Sequence, residues 1–142
     1  DSCGTRNAPA LPMAKPYDIQ ERTFLYACDI VDSCRPLIAG NPLVRELGRQ
    51  LLRAGTSVGA NLEEADGGES KSDFRHKVAL SRKECSESRY WLRLIAHAEK
   101  SVVPRAGPLL QESTELIAIL TTIKKNAESN SNRSSESAAK TD

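Results

Sequence analysis

The sequence predicts an all-α chain folded as an up-and-down antiparallel four-helix bundle, and three observations carry that prediction. Four segments repeat apolar residues at steps of three and four. Each is bounded by residues that start or stop helices. Aromatic residues make up only 4% of the chain, while Ala, Leu, Ser, Arg and Glu dominate, as in packed helices rather than sheet. The joining stretches are short, which makes consecutive helices antiparallel neighbours.

The first segment opens at Asp18, whose carboxylate can cap free amides with Glu21 three residues on. Its expected buried face is Phe24, Ala27, Cys28, Val31 and Cys34, and Pro36 ends or kinks it. Asn41 followed by Pro42 starts the second, because Asn accepts from free amides and Pro needs no donor at the first helical position. Its stripe is Val44, Leu47, Leu51, Ala54, Val58, Leu62 and Ala65, stopped by Gly67 and Gly68. Ser70 with Asp73 caps the third, which carries Phe74, Val78, Ser81, Cys85, Ser88, Leu92 and Ile95 and reaches about Lys100. Pro104, Gly107 and Pro108 mark a loop and a new start, after which Leu109, Leu116, Leu120 and Ile123 lead a fourth helix to about Ala127.

The ends are of another kind. Residues 1–16 hold Pro9, Pro12 and Pro16 without periodicity, and Met13 just before the first helix is a candidate biological start. Residues 128–142 contain no large apolar side chain and cannot bury enough surface to order themselves. Both ends are read as disordered, leaving 17–127 as the bundle.

With 20 basic and 19 acidic residues the formal net charge is +1, so bulk charge gives no argument for nucleic acid and placement must decide. No apolar run approaches the ~18 residues of a membrane span, and the N-terminus lacks the apolar core of a signal peptide. A cytoplasmic, membrane-free protein is expected. Cys3, Cys28, Cys34 and Cys85 form neither a zinc spacing nor a disulfide framework; Cys28 and Cys85 read as small core residues. His76 and His97 lie about 30 Å apart along one helix, and the Asp73 to His76 step alone makes no metal centre. No phosphate-binding glycine loop and no nucleophile with a base is evident. The expectation is a non-enzyme with no catalytic residue, metal or cofactor.

Arginine placement is the most informative feature. On the third helix Arg75, Arg82, Arg89 and Arg93 fall within about 40° of one another, and none has an acid three or four residues away. Arg45, Arg49 and Arg53 repeat the arrangement on the second helix, where only Arg49 has a local acid, Glu46. The planar guanidinium fork suits phosphate. Carboxylates of a neighbouring helix or subunit, among them Glu63, Glu64, Glu84, Glu87 and Glu112, are the competing partners, and plain solvation is a third possibility.

Two further features concern packing. Leu80, Tyr90 and Leu94 point away from the third helix's core face with Trp91 at its border, which marks an oligomer interface unless the fourth helix covers them. Gly48, Gly55 and Gly59 share one edge of the second helix. Each costs roughly 1 kcal/mol of helix propensity against Ala, which either a closely approaching helix offsets or local fraying reflects.

The wording of several stretches is itself distinctive: RAGTSVGANLEEA from Arg53 to Ala65, ESKSDF from Glu69 to Phe74, KECSESRYWLRL from Lys83 to Leu94, and YDIQERTF from Tyr17 to Phe24. Over Tyr17 to Ile123 the chain resembles the bacterial four-helix-bundle family first noted in open reading frames within 23S ribosomal RNA intervening sequences. That resemblance implies a ring-like homopentamer and kinship with the accessory proteins of diversity-generating retroelements, which bind nucleic acid through basic surfaces and partner a reverse transcriptase. It supplies no catalytic residue, and this near-neutral chain lacks the basic excess of the retroelement proteins.

Two functions follow as expectations. One is a non-enzymatic oligomer that binds RNA or DNA through the seven arginines, with a weak ridge multiplied by repetition around a ring. The other is a protein-protein scaffold that recruits a partner enzyme such as a reverse transcriptase.

Overall fold

The computed structural model describes residues 18–67 and 70–141. The expected leader at 1–16 with Met13, Cys3, and the stop at Gly68 lie outside the described residues. Four helices follow in order: α1 Ile19–Ile38, α2 Pro42–Asp66, α3 Lys71–Ala98 and α4 Val103–Ala139, with a short 3-10 turn at Lys100–Val102 leading into the last.

The three expected N-caps form. Asp18 accepts from the Gln20 amide, Asn41 from Val44 and Ser70 from Asp73, satisfying orphan donors at each helix start. Inter-helix contacts run in opposite directions along each neighbouring pair. Gly48, Gly55 and Gly59 of α2 face Leu37, Ile30 and Thr23 of α1 in turn. The Ser81 hydroxyl donates to the Val58 carbonyl while Lys77 pairs with Glu64. On α4, Ser113 meets Cys85 and Thr121 meets Arg82. The bundle is therefore antiparallel throughout.

The core holds Ile30, Leu51, Val58, Val78, Cys85, Leu116 and Leu120, each at most 1% exposed, and each large aliphatic contributes roughly 1.5–3 kcal/mol by leaving water. The stripes on α2, α3 and α4 are those the sequence predicts, with Leu47, Phe74 and Ile123 at the rim. The α2 glycines are packing devices rather than frayed turns: a Cβ on Gly48 would stand 2.9 Å from Leu37 Cβ, and one on Gly55 would stand 2.8 Å from Ile30 Cγ1 and Cγ2.

Helix α1 corrects the expectation. Its buried face is Thr23, Tyr26, Ile30, Cys34 and Leu37, about 100° round from the predicted one. Phe24 is 56% exposed, and Ala27, Cys28 and Val31 are half-buried. The reason is polar satisfaction inside the core. Thr23 donates back to the carbonyls of its own helix at Ile19 and Gln20. Tyr26 reaches the Ser88 hydroxyl at 2.8 Å, and Ser88 in turn donates to the Cys85 carbonyl. Two side chains with hydroxyls are thus buried at little cost. Cys34, not Cys28, joins Cys85 in the core.

Pro36, expected to end or kink the first helix, lies inside α1 two residues before its end. Two boundaries differ. Pro104 sits in the first turn of α4 and Pro108 within the helix, so Pro104–Pro108 is helix rather than loop; the first amides of a helix have no intrahelical acceptor, which is why proline is tolerated at Pro104. Finally α4 runs to Ala139, twelve residues beyond the expected end, through the stretch read as a disordered tail. No Gly or Pro interrupts it after Pro108, Lys124 pairs with Glu128 at 4.0 Å, and the hydroxyls of Ser134 and Ser135 bond to carbonyls four residues back instead of diverting the backbone.

Candidate nucleic-acid interface

Helix α3 carries Lys71, Arg75, Lys77, Arg82, Lys83, Arg89 and Arg93 against only Asp73, Glu84 and Glu87. Where the acids are directed decides which cations remain available. Arg53 of α2 reaches across to Glu84 at 3.4 Å and also pairs with Glu87, and the Trp91 indole donates to Glu87 at 3.2 Å. Both glutamates are therefore committed to the α2–α3 seam.

The seven predicted arginines divide. Arg53 is used in that seam. Arg45 closes the end of α1, donating to the Ile38 and Gly40 carbonyls at 3.1 and 3.3 Å. Arg82 is half-buried and donates from Nε to Thr121 Oγ1 at 2.7 Å, tying α3 to α4. Among the described residues, Arg49, Arg75, Arg89 and Arg93 make no side-chain hydrogen bond or ion pair; Arg49, Arg89 and Arg93 are exposed and Arg75 is half-exposed. The available ridge is thus narrower than the sequence suggests, and it centres on Arg89 and Arg93.

The expected interface residues also separate. Trp91 packs against the rim of the core, Leu80 and Leu94 are half-exposed, and Tyr90 is 53% exposed. The Tyr90 and Trp91 rings meet at 5.4 Å and 70°, an edge-to-face geometry that favours both. Apolar surface that the sequence did not single out stands elsewhere, at Phe24 and Leu25 of α1 and Leu43 of α2.

Sequence reasoning also missed Arg22. Its side chain is 11% exposed and meets Glu112 at 2.5 Å and Glu115 at 3.3 Å, joining α1 to α4. Arg22 stands one helical turn before Tyr26, so a buried face drawn through Tyr26 is the signal that locates it.

The α1–α4 groove, about 500 Å³ in volume and lined by Asp29, Asp32, Glu112 and Arg105 among others, has the wrong charge for phosphate. Burial, with Asp32 and Glu112 nearby, already raises the Asp29 carboxyl above its ordinary range. The core thiols are equally poor reagents. Burial pushes Cys34 up to about 11, and burial with the Glu112 charge pushes Cys85 up to about 12, so both stay protonated at neutral pH. Among the described residues no group of three His, Cys, Asp or Glu is placed to hold a metal ion, and no helix is long and apolar enough to cross a membrane.

The fold and its surface define an antiparallel four-helix bundle edged on one helix by arginines without acidic partners among the described residues. The chain belongs to the 23S rRNA-intervening sequence protein family, whose model matches residues 22–122. A crystal structure of an S23 ribosomal protein family member of unknown function, from Bacteroides thetaiotaomicron VPI-5482, is similar at 30% identity and a TM-score of 0.69, covering 76% of this chain and 99% of that one. No protein of curated function matches.

Proposed function

We propose that this protein is a non-enzymatic, cytoplasmic, oligomeric module that binds RNA or other nucleic acid, with Arg89 and Arg93 as its principal phosphate contacts and Arg75 and Arg49 beside them. One observation carries the reading: Arg89 and Arg93 are exposed without partners among the described residues while the two glutamates nearest them on α3 are held by Arg53. A cation neither neutralised nor packed is free to displace counterions from a phosphate backbone. Membership in a family described by 23S rRNA intervening sequences makes RNA the first ligand to test. Repetition of the ridge in a homopentamer would compensate for the near-neutral chain.

The Arg89→Ala/Arg93→Ala double variant is expected to bind a structured RNA on the order of tenfold more weakly at low salt, with its thermal unfolding unchanged because both side chains are exposed. Unchanged affinity contradicts the proposal. Light scattering on the same samples should give a mass several times the 15.5 kDa of one chain for both proteins.

A scaffold that recruits a partner enzyme, such as a reverse transcriptase, is the second reading, favoured by the exposed Phe24 and Leu25 on α1. It predicts instead that replacing Arg89 lowers the oligomer mass and leaves nucleic-acid affinity alone.

A further inference from the structure

Tyr90 is unlike the other tyrosine described. Tyr26 is buried with its hydroxyl bonded, whereas Tyr90 is 53% exposed and its hydroxyl has no hydrogen-bond partner among the described residues. Leaving an aromatic ring in water forgoes the burial that usually stabilises it. Its surroundings are basic. Arg93 lies one turn on at the i+3 position, exposed His97 follows Arg93 by another turn, and Arg89 precedes Tyr90 in the chain, about 100° round the helix. Arg89 and Arg93 are separated by about 6 Å along the helix axis, comparable to the distance between successive phosphates of a strand.

The ring also packs edge-on against a second ring. Arg53 fixes Glu87, Glu87 accepts from the Trp91 indole, and Trp91 abuts Tyr90 at 5.4 Å. The same chain of contacts removes the nearest negative charge from the surface that Tyr90 shares with the arginines. A surface built only for the outside of a duplex needs charge and no ring, because paired bases hide their faces in the stack. Arginines beside an exposed aromatic ring make the arrangement that holds unpaired nucleotides: the ring stacks on a base while the cations hold the backbone.

Resting on the nucleic-acid reading above, we infer that the Arg89–Tyr90–Arg93 surface selects single-stranded nucleic acid, with one unpaired base stacked on Tyr90 and the flanking phosphates on Arg89 and Arg93.

The test uses the full chain with four probes of equal length: single-stranded RNA, single-stranded DNA of the same sequence, the corresponding duplex, and an abasic strand that keeps the phosphates and lacks the bases. Trp91 is the only tryptophan, so its emission reports on the adjoining Tyr90 ring. Single strands should quench it and the abasic strand should not; whichever of RNA and DNA is held more tightly identifies the source of the strand. Tyr90→Ala should weaken single-strand binding roughly tenfold or more while leaving duplex and abasic binding unchanged, and Tyr90→Phe should keep the wild-type preference. Equal losses on all four probes, no loss on any, or a fall in oligomer mass with Tyr90→Ala would overturn the inference. If binding still requires Arg89 and Arg93 but not Tyr90, only the stacking claim fails. If the wild-type chain binds none of the probes, the nucleic-acid reading fails with it.

Discussion

Tyr26→Ala is expected to lower the free energy of unfolding by about 4 kcal/mol, the scale on which a fully buried aromatic side chain is lost to a cavity. Tyr26 is 1% exposed and reaches from α1 to Ser88 on α3, a helix that lies diagonally opposite across the bundle. Because Ser88 gives its proton to the Cys85 carbonyl at 2.7 Å, the tyrosine must be the donor in the 2.8 Å bond between them. Burial holds the phenol well above its ordinary titration range, so the donor persists through neutral and mildly alkaline pH. Tyr26→Phe keeps the ring and loses only that donor, for which about 1 kcal/mol is expected. Urea denaturation of both variants measures the difference; a Tyr26→Ala loss no larger than that of Tyr26→Phe would mean that the ring is not packed in the core.

Gly55→Val should destabilise the bundle by about 3 kcal/mol, at the upper end of the usual cost of overpacking a core. A Cβ there would meet Ile30 Cγ1 and Cγ2 at 2.8 Å. These atoms branch directly from Ile30 Cβ and cannot swing aside, and Ile30 is fully buried, so α1 itself would have to move away from α2. Improved helix propensity returns less than about 1 kcal/mol. Gly107 provides the contrast: it is an exposed glycine of α4 where an added Cβ would find nothing within 4 Å beyond its chain neighbours, and the gain in helix propensity is offset by crowding from the Pro108 ring that follows, so Gly107→Ala should change stability by less than about 1 kcal/mol. Thermal melts of the pair check both sizes, and a neutral Gly55→Val would contradict the close α1–α2 approach.

These residues also show what is legible in the sequence. Apolar periodicity locates the buried faces of α2, α3 and α4, and Asp18, Asn41 and Ser70 locate three helix starts, because each signal is local. It fails on α1, where Thr23 and Tyr26 face inward and Phe24 and Leu25 outward. A pattern of apolar letters does not register that a hydroxyl can be buried once a carbonyl of its own helix or a serine of another helix accepts its proton. The prolines in the opening turns of α4 and the polar residues of its final turns mislead for a similar reason: both stretches are poor helix formers by composition, yet neither contains an interior break that the helix cannot accommodate.

The arginines are legible as a ridge but not as individuals. Spacing within a helix shows that Arg53, Arg82 and Arg89 all lack local acids; only the packing of α2 and α4 against α3 shows that Arg53 meets Glu84 and Glu87, that Arg82 meets Thr121, and that Arg89 meets neither. The same packing commits Arg45 to the end of α1 and brings in Arg22, whose partners Glu112 and Glu115 stand 90 and 93 residues away. Tertiary pairing of this kind leaves no short-range trace in the chain.

The salt dependence of RNA affinity tests the functional account most directly. If Arg89 and Arg93 each neutralise a phosphate, log K should fall linearly with log salt concentration, and the slope should become shallower by about 2 in the Arg89→Ala/Arg93→Ala variant. A wild-type chain that fails to bind RNA at low salt, or a double variant with the wild-type slope, would contradict it.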